Sequence, residues 1–104
     1  MTSLNRRIVQ ESLKNPEHIL TDARLLPNFK NGKQEGFSIS EVIPDGLYHN
    51  LGLRNGDVLL KINDLKISNP EVAIQAMSAL RGMNRINLDI VRDGKKMSMD
   101  YQIR

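Results

Sequence analysis

The stretch from Gly52 to Asn63 constrains this chain more than any other. Leu47 to Leu51 reads as a short helix, and Gly52 stands where that helix must stop, because glycine enters the left-handed region without a Cβ penalty. Leu53 then docks on the core, and Asn55-Gly56-Asp57 forms a turn. Val58, Leu59, Leu60 and Ile62 follow as a nearly continuous apolar strand, a pattern that predicts burial on both faces. Asn63-Asp64 ends the strand with a second turn. Each residue here has a backbone reason for its place, so the segment is read as scaffold and not as a ligand site.

The remaining elements are read around that strand. Thr2 or Ser3 is expected to cap a first helix, with Leu4, Ile8, Val9 and Leu13 at helical spacing. Asn15 caps and Pro16 opens a second helix to about Ala23, burying Ile19, Leu20 and Ala23. Leu25 to Lys30 reads as a strand in which Pro27 demands an edge or a bulge. Asn31-Gly32 is a hairpin turn, and Gln34 to Ile43 is the return strand with Phe37 and Ile39 on its apolar face. Pro44-Asp45-Gly46 closes it.

Beyond the central segment, Leu65 to Ile67 is a very short strand. Ser68 or Asn69 caps a helix from Pro70 to about Arg81. Its apolar residues, from Val72 through Leu80, spread over more than one face, and the surplus is expected to line a groove. Ile86, Leu88 and Ile90 alternate as a strand, Asp93-Gly94 turns it, and Met97, Met99 and Tyr101 close the sheet. Met97 and Met99 are expected in the core, whereas Met77 is divided between core and groove.

Composition limits what these elements can do. The 104 residues give room for one core. There is no Cys, which removes disulfides, thiolate nucleophiles and zinc clusters together. Fifteen basic and 12 acidic residues are interspersed, without the block expected of a nucleic-acid binder. No apolar run approaches the roughly twenty residues of a membrane span, and no signal peptide is visible. His18 and His49 are the imidazoles, and His49 is placed to hydrogen-bond Asp45 across a helical turn. Ser38 and Ser40 have no base nearby in sequence, and Asp57, Asp64 and Glu71 match no calcium loop. No catalytic residue, metal or cofactor is expected.

The order of hairpin, short helix, buried strand, short strand, longer helix and closing hairpin resembles a PDZ domain. The resemblance implies a mainly β fold with helices (α+β), a partly open barrel of about six strands with two helices. It is expected over residues 24–104, with residues 1–23 as an N-terminal helical extension packed on it. A PDZ domain takes a peptide as an added strand in a groove between one strand and the longer helix. Carried onto this chain, the resemblance places the groove at Gly36, Phe37, Ser38 and Ile39 on the strand side. Ala73, Met77 and Leu80 form the helix side, with a register through Ile74 as the alternative. Glu35 would repel a terminal carboxylate, and the tight Asn31-Gly32 turn leaves little backbone for an anion nest, so an internal strand or an empty groove is expected at least as much as a C-terminus.

Asn5-Arg6-Arg7, Asn15-Pro16, Ala23-Arg24, Gly36-Phe37 and the ending Asp100 to Arg104 are together similar to the PDZ domain of the type II secretion system C protein, a bitopic inner-membrane subunit. That likeness implies a periplasmic domain, attached to the membrane only through a segment outside this chain. Its partners would be secreted exoproteins or other subunits of the machine, with no nucleic acid. The alternative is a substrate-sensing regulatory PDZ domain of a periplasmic or membrane-embedded protease.

Overall fold

The computed structural model describes residues 2–15 and 17–104. In chain order they form β1 (Thr2–Leu4), α1 (Arg6–Leu13), α2 (Glu17–Thr21), β2 (Arg24–Lys30), β3 (Lys33–Ser40), α3 (Leu47–Asn50), β4 (Val58–Ile62), β5 (Leu65–Lys66), α4 (Pro70–Ala79), β6 (Arg85–Arg92) and β7 (Lys95–Ile103). A 3-10 turn, Leu80–Gly82, continues α4. The strands make one seven-stranded sheet in the order β1-β7-β6-β4-β3-β2, with β5 appended to β4. β1 runs parallel to β7, and the other pairs are antiparallel. This is the mixed α+β, open-sheet architecture expected, with one strand more.

Local chemistry sets the turns. Asn31 and Gly32 both take positive φ, as do Asp93 and Gly94, which is the geometry of two-residue hairpins whose twist matches their strands. Asn69, not Ser68, caps α4, its Oδ1 accepting the Val72 N–H at 2.9 Å. In β4, Leu59 and Ile62 are buried while Val58 and Leu60 are half-buried. Strict alternation would put Leu59 and Ile62 on opposite faces, but the β4–β6 register slips between Leu59 and Lys61, and this bulge turns both inward. The expected burial of both faces is therefore corrected: Leu60 lies on the more open side.

The first residues depart from a purely helical extension. Thr2–Leu4 adds to β7, and the Arg104 N–H donates to the Leu4 carbonyl at 2.8 Å. The cap of α1 is accordingly Asn5, not Thr2 or Ser3, with Oδ1 accepting from the Arg7 and Ile8 N–H groups at 2.8 and 3.3 Å. Asn15 Oδ1 accepts the Glu17 N–H at 3.0 Å, while the helix-opening role read for Pro16 lies outside the described residues. Val9, Leu13, Ile19 and Ala23 join Phe37, Ile39, Leu59 and Met77 in a single hydrophobic core. Tyr48, fully buried on α3, donates its hydroxyl to the Ile19 carbonyl, and the Leu47 N–H donates to Asp22 Oδ2 at 2.7 Å. Ile8 and Leu20, both read as apolar-face positions, are about half exposed.

The central segment is fastened by a buried ion pair. Asp57 is only 2% exposed. Its carboxylate accepts from Arg92 Nε at 2.9 Å and Nη2 at 2.7 Å, and from the Arg54 N–H at 2.9 Å. Arg92 Nη2 also reaches the Gly52 carbonyl at 2.9 Å, tying the stop of α3 to β6. The Asp57 hydrogen bonds raise the Arg92 guanidinium pKa further above its ordinary range.

Candidate functional site

Strand addition needs a sheet edge with unpaired peptide groups. Gly36, Phe37, Ser38 and Ile39 do not supply one, because β3 is interior: Ser38 faces Leu26 of β2 on one side and Val58 of β4 on the other. The groove expected along these residues is thus displaced by one strand, and the edge belongs to β2. Phe37 and Ile39 are core residues. Gly36 is glycine for a packing reason, since at φ +68° a Cβ there would stand 2.2 Å from the Leu59 carbonyl oxygen. It brings β3 against β4 and does not end a carboxylate loop.

The direction of the edge groups follows from Ile39. Its N–H donates to the Asp57 carbonyl and its carbonyl accepts the Gly56 N–H, both at 2.8 Å, so both point away from β2. Leu25 stands opposite Ile39. In a non-hydrogen-bonded antiparallel pair both residues turn their peptide groups outward, so the Leu25 N–H and carbonyl lie on the open edge. Pro27 has the same orientation and no N–H to offer. The register then slips between Pro27 and Phe29, and Asn28 Nδ2 bridges the slip by donating to the Glu35 carbonyl at 3.1 Å. Pro27 is therefore both at an edge and at a bulge, the two places sequence allowed it.

The helix wall also moves. Ala73, Met77 and Leu80 are fully buried and hold α4 to the core, so they line no open groove. Val72 and Ile74 are the half-buried apolar positions of α4, one on each flank of its buried face. α2 packs against both α4 and β2, and it covers part of the wide apolar stripe that sequence assigned to a groove. These three elements expose Leu20, Leu26 and Phe29.

The two imidazoles lie beside groups of the local fold. The Asp45 N–H donates to His49 Nδ1 at 2.8 Å, so this imidazole closes a turn through the main chain and not through the Asp45 carboxylate. His18 Nδ1 lies 3.7 Å from Asp22 Oδ2, the oxygen already engaged by Leu47. Burial pushes the Tyr48 phenol far above its usual range, with the Asp22 charge adding to it, and burial likewise raises Tyr101. Met97, expected in the core, is 40% exposed although it stands opposite the buried Ile90, because β1 covers the outer side of β7 only at Tyr101–Ile103; Met99 is half-buried against the core. Among the described residues no helix is long and apolar enough to cross a membrane.

Comparison with known proteins matches this geometry. The PDZ domain family pattern covers residues 12–91. Type II secretion system protein C of Klebsiella pneumoniae is 28% identical over 99 residues, which are 95% of this chain and 35% of that protein. The solved PDZ domain of EpsC from Vibrio cholerae superposes with a TM-score of 0.60 at 25% identity, covering 92% of this chain and 91% of that one. A probable periplasmic serine protease, do/HhoA-like, of Haemophilus influenzae is 32% identical over 84 residues, but these are 18% of its length. The matched pattern spans most of the chain and the solved relative superposes along nearly all of it: the chain belongs to the PDZ domain family, as a non-catalytic domain of the kind carried by type II secretion system protein C.

Proposed function

We propose that this domain binds protein partners of a type II secretion system in the periplasm, as part of an inner-membrane subunit, and that it contributes to recognising exoproteins. The open edge of β2 carries the reading. A partner segment would pair with the Leu25 N–H and carbonyl and rest apolar side chains against Leu26 and Ile74. Pro27 cuts the ladder short, so side-chain contacts must supply much of the affinity, and association is weak and reversible. The match to secretion protein C spans 95% of this chain, against 80% for the protease, and this favours the secretion reading over a protease-regulatory one.

A proton-nitrogen NMR titration with the periplasmic domains of the cognate secretin and with a folded exoprotein tests it. Shifts are expected at Leu25, Leu26, Phe29 and Ile74. Leu26→Asp, at a position 45% exposed, should leave the fold intact and weaken binding roughly tenfold, the scale of one lost apolar contact and an opposed charge. Shifts that avoid β2 and α4, or binding indifferent to Leu26→Asp, would remove the β2 edge from the mechanism.

A further inference from the structure

A second surface lies at the β2–β3 hairpin end, away from the Leu25 edge. Lys30, Lys33, Lys61, Lys66 and Lys96 line one depression of about 680 Å³, with Glu35 the one carboxylate among its lining residues. None of these ammonium groups has an ion-pair partner among the described residues. Lys30 and Lys33 stand directly opposite each other across the hairpin, and Lys61 and Lys66 do so across β4 and β5. Lys61 has Asp89 opposite it on β6, but Lys30, Lys33 and Lys66 face only another lysine across their ladders, and like charges so placed repel and weaken the sheet. Gln34 lines the same depression, and its buried side-chain Nε2 has no hydrogen-bond partner there. Leu60 is the apolar residue lining the depression, and Met97 lines the adjoining hollow together with Lys61 and Lys96.

We infer that this depression is a docking site for an acidic protein segment with apolar side chains between its carboxylates. Carboxylates would relieve the two self-opposed lysine pairs and accept from the Gln34 amide, while Leu60 and Met97 cover the intervening side chains. Concavity favours a protein segment over an anionic bilayer, because a flat surface reaches the rim of a depression and not its floor. The site is independent of the β2 edge and of any partner bound there.

Fluorescence anisotropy of this chain with a labelled peptide of alternating glutamate and leucine tests the proposal, with the glutamine-leucine peptide as control. Binding of the glutamate peptide is expected to weaken about tenfold between low and physiological salt. Lys61→Gln with Lys66→Gln should weaken it about tenfold, with the melting temperature unchanged or raised because a repulsive pair is gone. Lys14→Gln with Arg81→Gln, exposed positions elsewhere, makes the same change in net charge and should leave binding intact. Equal losses in both variants would reduce the effect to net charge and overturn the proposal. So would equal binding of the glutamine peptide, or no peptide binding alongside lysine-dependent cosedimentation with phosphatidylglycerol vesicles, which assigns the surface to lipid.

Discussion

Removing either half of the Asp57–Arg92 pair should destabilise the domain, and by unequal amounts. Breaking a buried ion pair from one side costs about 3–5 kcal/mol, because the remaining charge is left desolvated. The structure decides where in that range each variant falls. The Arg92 side chain retains 16% exposure, so the guanidinium left by Asp57→Asn can turn partly to water, and the asparagine oxygen can still accept the Arg54 N–H. The Asp57 side chain has 2% exposure, so the carboxylate left by Arg92→Met cannot. Asp57→Asn is therefore expected to cost about 3 kcal/mol and Arg92→Met about 5 kcal/mol. At roughly 4 °C per kcal/mol for a chain of this size, the melting temperature should fall by about 12 °C and about 20 °C. Urea denaturation with a double-mutant cycle gives the coupling directly, expected at about 2 kcal/mol or more since the two residues share one network. Losses below about 1 kcal/mol for both, or a larger loss for Asp57→Asn, would refute the assignment of the pair as the fastening of the Gly52–Asp57 turn.

Two further variants and one titration follow from the same packing. Gly36→Ala should cost about 3 kcal/mol by urea denaturation and Gly32→Ala about 1 kcal/mol. Both have positive φ, but only at Gly36 does an added Cβ meet a backbone atom, and equal losses would contradict the close approach of β3 to β4. The two tyrosines both have phenol pKa values raised by burial. Their neutral forms are favoured in the folded state, so this contribution is complete below the unfolded value of about 10 and is lost as pH rises above it. Phenolate absorbance should stay low past that pH until the chain unfolds, and Tyr48→Phe should flatten the alkaline fall in melting temperature; the same slope in the variant would refute the reading.

The parts of the fold set by neighbours in sequence were readable from residue types. Asn31-Gly32 and Asp93-Gly94 are hairpin turns because both residues of each pair tolerate positive φ, and Asn69 before Pro70 caps a helix by the same local logic. The parts set by distant neighbours were not. Thr2–Leu4 is a strand only because the far end of the chain lies beside it, and three residues carry no period to announce that. The Leu60 bulge depends on the register with β6, and the inward turn of Met77 depends on what packs over α4.

The misplacement of the groove strand has the same origin and a consequence for mechanism. Alternation of Phe37, Ser38 and Ile39 fixes which side chains face the core, but it is silent on whether the peptide groups between them are free. That is decided by the Gly56 and Asp57 backbone, which engages both sides of Ile39 and leaves the outward groups to Leu25 on the neighbouring strand. The Gly52–Asp57 segment, on the far side of β3 from the open edge, thus determines where a partner strand can add. Its ion pair with Arg92 holds Asp57 in place, Asp57 holds Ile39, and Ile39 sets the register in which Leu25 presents its edge. A weakened Asp57–Arg92 pair should therefore reduce capture at β2 as well as stability, whereas Leu26→Asp should reduce capture alone.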